Sequence, residues 1–235
     1  MSIHLTFVCS PGGDATLDPL LGDAPLSERG LRLASAARAV FSPDGPAVRA
    51  PSVRCSQTAD AIGLAAASSE PMLRDLDVGR WSGRTVREIA ATEPDGFTAW
   101  FTDPDAVPHG GESVRQLCRR SADWLNSVAP DTGHAVAVTE AAVVRAALIH
   151  ALAVPARTFW HLVVPPLSAV FLTRRGGSWD VQFGSVSPQE PRRRLLSPPA
   201  VLAGDDGDCD QSAPAILNGG NRSRPLPEAS LTGCG

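Results

Sequence analysis

The sequence predicts an α/β fold: three layers, α/β/α, around a mostly parallel central sheet with an antiparallel edge hairpin. Three observations predict it. Strand-like and helix-like segments alternate from residue 3 to about residue 155. The apolar runs "HLTFV" and "HAVAVT" show little polar alternation, as strands covered on both faces do. The late runs "SAVFLTRR" and "SWDVQFG" flank Gly176-Gly177, a pair suited to a hairpin turn. With 235 residues, 43% of them hydrophobic, the chain is long enough to bury a sizeable core.

The elements follow in order. "LTFVCSPGG" opens as a buried strand and stops in a Pro-Gly-Gly loop. "LSERGLRLASAARAVF" (26–41) places Leu31, Ala34, Ala37 and Val40 near helical spacing, with Ser27 as N-cap and Glu28 in the first turn. "AVRAPS" is a short strand into a loop, and "CSQTADAIGLAA" a helix. "RTVREIAATE" and "EPDGFTAWF" are two short helices separated at Pro94. Residues 111–128 form a long amphipathic helix with Val114, Leu117, Cys118, Ala122, Trp124 and Leu125 on one broad face. "HAVAVT" (134–139) then runs directly into the apolar helix "EAAVVRAALIHALA", and the hairpin closes the domain near Gly184. Residues 185–235 lose all periodicity and are rich in Pro, Gly, Ser and Asp. They are expected to be a disordered tail after a domain of residues 1–184.

Composition narrows the partners. A net charge of -4 gives no reason to expect nucleic acid or an anionic membrane. All 21 basic Lys/Arg residues are arginine, tyrosine is absent, and this bias says little about function. The five cysteines, at 9, 55, 118, 209 and 234, form no CxxC pair, which fits a reduced chain better than a disulfide framework or a zinc module. "MSIHLTF" lacks a basic start and its apolar stretch is short for a signal peptide, and no run is long enough to span a bilayer. The expectation is a soluble, cytoplasmic protein with no cofactor and no metal, whose partner is a small molecule or another protein.

Reactive groups in such folds sit where parallel strands stop. Here that place holds Cys9 and Ser10, with neither histidine nor arginine. Five segments, in order, resemble the histidine phosphatase superfamily (phosphoglycerate-mutase-like): "PLSERGLRLASAA", "APSVRCSQTADAIG", "LRDLDVGRWSGRTVREI", "HGGESVRQLCRR" and "AVTEAAVVRAALIHAL". The third is most similar to the α-ribazole-phosphatase-like branch, which would imply a role near cobalamin or cobalt metabolism. In the family a strand-end Arg-His-Gly carries the phosphoryl-accepting histidine. A second histidine and arginines hold phosphate, and an acid protonates the leaving group. Position by position, the resemblance implies that Cys9-Ser10-Pro11 replaces Arg-His-Gly, and Glu140 replaces the second histidine. It implies that Arg54 remains as a phosphate-pocket arginine, and that Asp75 stands at the acid's place.

The substituted pocket is therefore a poor phosphatase. A phosphate monoester brings nearly two negative charges, and Arg54 faces two carboxylates, Asp75 and Glu140. Two like charges at contact repel by about 4 kcal/mol at an effective dielectric near 20. Cys9 lacks the Cys-x5-Arg arginine of cysteine phosphatases, since Ala15 stands there, so it is read as a buried apolar residue. Ser10 lacks a good base and is read as structural. Glu140 either caps the helix it begins, or joins Asp75 and Asp14 around a cationic group. Arg54 is expected to bridge the carboxylates in an ion-pair network. His109 is a candidate for the edge of the site, and Trp81 and Trp100 for packing.

The expectation is thus a degenerate member lacking both catalytic histidines, a pseudo-phosphatase binding a ligand through Cys9, Ser10, Arg54, Asp75 and Glu140. One alternative is altered chemistry with Glu140 and Asp75 as acid and base; the other is residual phosphomonoesterase activity.

Overall fold

The computed structural model describes residues 3–12, 20–39, 45–129 and 131–185. At its centre lie β1 (Ile3–Cys9) and β4 (His134–Thr139), paired in parallel so that Cys9 stands opposite Thr139. Phe7, Val8 and Cys9 are all buried, as are Val136 to Thr139. Successive strand residues point to opposite faces, so unbroken burial means both faces are covered. β2 (Ala47–Arg49) and the two-residue β3 (Ser68–Ser69) extend the parallel side. β5 (Ser168–Arg175) and β6 (Ser178–Ser185) complete the order β3-β2-β4-β1-β5-β6 as an antiparallel hairpin. Gly176 and Gly177 turn it with φ of 54° and 93°, a conformation that glycine adopts without strain.

The helices start where side chains can satisfy their first amides. Ser27 caps α1 (Glu28–Ala37) by accepting from Gly30 N–H. Ser52 caps α2 (Val53–Ala61), so this helix begins two residues before the predicted segment and ends sooner. Thr85 and Ser113 form capping boxes with Glu88 and Gln116 at α3 (Val86–Thr92) and α5 (Val114–Ser127). Pro94 begins α4 (Pro94–Thr102), where a missing N–H costs nothing. α6 (Ala141–Ala151) packs on α5, and α1 packs on α2.

The core is continuous, with Phe7, Leu5, Trp81, Leu117, Leu125, Leu148 and Phe159 among its most buried members. Each such side chain contributes roughly 1.5–3 kcal/mol relative to exposure. Two parts of the α5 reading are corrected: Cys118 and Ala122 are only partly buried, while Arg120 and Ser121 are buried instead. Sequence periodicity sees an arginine as solvent-facing, whereas here it is paired inside. β3 and a 3-10 turn at Ala156–His161 were not predicted. Asp14 and the predicted tail from residue 186 onward lie outside the described residues. Among the described residues no helix is long and apolar enough to cross a membrane.

Candidate functional site

The carboxyl ends of β1 and β4 meet the first turns of α2 and α6. Register brings them together: Ser10 N–H donates to Thr139 O at 2.8 Å, and Ala50 N–H to Val138 O at 2.8 Å. Ser10 is buried, and its hydroxyl lies 2.9 Å from Thr58 Oγ1. Thr58 gives its own proton to Arg54 O at 2.7 Å. A hydroxyl has one proton, so Ser10 is the donor of that pair, held against an alcohol that is no base.

Glu140 is 5% exposed. It occupies the N-cap position of α6 but its side chain does not cap the helix, which corrects the capping alternative. Instead the carboxylate turns toward α2, where Ser52 Oγ–H donates to Oε1. Thr139 Oγ1 is 3.4 Å from Oε2 but 2.9 Å from Leu73 O, so its proton goes to Leu73. Among the described residues no arginine comes within 4.0 Å of Glu140. A buried carboxylate held by one firm hydroxyl bond strongly perturbs its neighbours.

Asp75 shows that perturbation. Its carboxyl is partly buried and accepts from its neighbour Leu76 N–H at 2.9 Å. Desolvation first, and the Glu140 charge second, push it up to about 7. Burial and then Glu140 push the Cys9 thiol up to about 12, and act on Cys55 in the same direction more strongly. Neither thiol is a nucleophile at neutral pH. Iodoacetamide at pH 8 is therefore expected to leave Cys9 and Cys55 unlabelled in the native protein and to label both after denaturation. Peptide mapping reads this, and rapid native labelling of Cys9 would contradict the burial argument.

Arg54 does not bridge the two carboxylates, contrary to expectation. It donates through Nη2 to Gly22 O, and its Nε is 3.7 Å from Asp23 Oδ1. Asp23 is set there because it also accepts from Val53 N–H at 2.9 Å, at the start of α2. The prediction overlooked Asp23, since nothing in its local pattern links it to α2.

Asp75 is positioned by a brace that sequence reasoning missed. Arg120 donates to both oxygens of Glu112, through Nε at 2.9 Å and Nη2 at 2.6 Å. Its Nη1 donates to Met72 O at 2.6 Å and Arg74 O at 2.9 Å, fixing the backbone just before the acid. Two glycines let the loops meet. Gly79 has φ of 47° and a Cβ there would fall 2.3 Å from His109 O; at Gly111 it would fall 2.2 Å from Asp77 O. His109 lies in this junction, buried against Trp81 and Trp100 at ring separations of 5.2 and 6.0 Å. Its Nδ1 accepts from Gly111 N–H at 3.0 Å, and burial lowers its pKa, so it is neutral and serves packing.

No group of three or more metal-ligating side chains suited to a metal ion occurs among the described residues. A cavity of about 240 Å³ at the start of α5, lined by residues including Asp105, Arg115 and Arg119, contains none of the five predicted site residues.

A mixed, mostly parallel sheet with its candidate site at the carboxyl ends of two central strands defines an α/β protein of the kind that binds its ligand where parallel strands stop. Residues 21–185 match the histidine phosphatase superfamily (branch 1), and the chain belongs to that family. It is 30% identical over 118 residues to a glucosyl-3-phosphoglycerate phosphatase of Mycolicibacterium vanbaalenii, covering 43% of this chain and 52% of that protein. It is 27% identical over 97 residues to an adenosylcobalamin/alpha-ribazole phosphatase of Salmonella typhimurium, covering 40% and 48%. The matched stretch spans about half the length of these curated relatives. Among solved structures, a mycobacterial glucosyl-3-phosphoglycerate phosphatase superposes with a TM-score of 0.65 at 24% identity, covering 79% of this chain and 98% of the other. A phosphoserine phosphatase from Entamoeba histolytica gives 0.68 at 16% identity, covering 78% and 98%.

Proposed function

We propose that this protein keeps the histidine phosphatase fold without phosphomonoester hydrolysis and binds a small ligand at the strand ends. The observation that carries the reading is the pairing of Ser10 with Thr58 and of Glu140 with Ser52, at the two positions where the resemblance implies histidines. Phosphoryl transfer to an enzyme group needs an activated nucleophile and a positive cradle. Ser10 has no base beside it, Cys9 stays protonated, and Arg54 is engaged by Gly22 and Asp23. The buried Glu140 carboxylate adds repulsion where a phosphate would lie. The pocket residues in this reading are Cys9, Ser10, Arg54, Asp75 and Glu140, and the free thiols fit a reduced, cytoplasmic setting.

Hydrolysis of p-nitrophenyl phosphate from pH 5 to 8 tests the proposal beside an Arg54→Ala, Glu140→Ala double variant. No turnover above the variant's background is expected. Turnover that disappears in the variant would restore a phosphatase with an unfamiliar acceptor, the second reading. That reading draws its support from the phosphatase names of the relatives, including the adenosylcobalamin/alpha-ribazole phosphatase. A third reading, altered acid/base chemistry, draws on Asp75, whose pKa of about 7 suits proton transfer at neutral pH.

A further inference from the structure

Three arginines surround the strand ends, and their donors are used very differently. Arg120 is fully engaged by Glu112 and three backbone carbonyls. Arg54 is turned to Gly22 and Asp23. Arg145, in the second turn of α6, donates only through Nε, to Leu162 O at 2.8 Å. Among the described residues its two Nη groups meet neither a hydrogen-bond acceptor nor a carboxylate within 4.0 Å. The guanidinium is nevertheless held in place. Its carbon lies 5.6 Å from the centre of the Phe159 ring and 5.7 Å from that of Trp160. Arg145 follows Glu140, the residue just after β4, by five positions on α6, and it is partly buried.

We propose that Arg145 is the anion-recognition residue of this cleft, its free Nη pair receiving a carboxylate or phosphate-type oxyanion carried by a small ligand. The inference rests on the reading of the cleft as a ligand site. A planar guanidinium fixed at Nε and open at both Nη atoms is the geometry that grips such groups through two parallel bonds. Partial burial strengthens those bonds relative to water. The anion is thereby drawn to α6 and the Phe159–Trp160 wall. Arg54, the arginine the family resemblance implies for phosphate, has its Nη2 already committed to Gly22.

Calorimetric titration of the full chain with sulfate, and separately with acetate, tests this. Sulfate stands in for a phosphate ester and acetate for a carboxylate; the preferred probe identifies the ligand's anionic group. Arg145→Gln is expected to weaken the preferred probe about tenfold or more, a loss of about 1.4 kcal/mol or greater. Arg54→Gln is expected to weaken it less than Arg145→Gln does, because Arg54 Nη2 is already committed to Gly22. Arg145→Lys keeps the positive charge but lacks the fork. It should fall between the two, and it guards against a glutamine variant that fails to fold. Equal affinity in wild type and both Arg145 variants, dependence on Arg54 instead, or no heat from either probe would overturn the proposal. Hydrolysis of an aryl phosphate would overturn the preceding reading alone, because the titration measures binding without turnover.

Discussion

Replacing Arg120 by methionine is expected to lower the free energy of unfolding by about 3–5 kcal/mol. Arg120 and Glu112 are each about one-tenth exposed, and their two bonds are short and parallel. Methionine fills similar volume but leaves the Glu112 carboxylate without its bidentate partner; only Arg74, half-exposed and 3.7 Å away, remains. It also strips the carbonyls of Met72 and Arg74 of their donor. An unmet buried charge and unmet carbonyls together exceed the loss of one surface pair. Urea unfolding at pH 7 measures the effect. The double variant Arg120→Met, Glu112→Leu removes both charges at once and should recover part of the loss. A single-variant loss below about 1 kcal/mol would show that water replaces the pair. Removing the Arg120 charge also takes away one of the causes that hold the Asp75 pKa down, so the variant should raise the pKa of that acid further.

Asp75→Asn is expected to stabilise the protein by about 4 kcal/mol at pH 8 and by almost nothing at pH 4. The sign follows from where the proton resides. In the folded protein Asp75 holds its proton up to about pH 7, whereas the ordinary aspartate value is 3.8. Between these values the folded state binds more protons than the unfolded state, so stability falls as pH rises. Above pH 7 the penalty is complete and constant. Asparagine keeps the oxygen that accepts from Leu76 N–H and carries no charge to desolvate. The stability difference between variant and wild type should therefore open between pH 4 and 7 and then level off. A difference independent of pH would mean that Asp75 is hydrated in the native state. Glu140→Gln should shift the window to lower pH, because the Glu140 charge is the second cause of the raised value.

Much of this was readable from local pattern. The apolar runs located β1 and β4, the glycine pair located the hairpin, and Ser27 marked the start of α1. Each is a short-range consequence of side-chain periodicity or of backbone freedom at glycine. The five segments that resemble the family also singled out Asp75 and Glu140, the latter where β4 runs into α6. Arg145 lies within the last of those segments, and nothing in the spacing of its apolar neighbours on α6 sets it apart.

What the sequence by itself determined was the succession of the main strands and helices, and that Ser10 follows β1 and Glu140 follows β4, with no histidine at either strand end. Only the tertiary structure decided which partner each charge takes. Arg54 pairs with Asp23, 31 residues earlier, rather than with the carboxylates; Arg120 goes inside with Glu112; Arg145 is left with donors to spare. The reason is physical. Secondary structure follows from interactions within a few residues, whereas an ion pair depends on loop approaches such as that of Gly79 to His109, which form when distant segments pack.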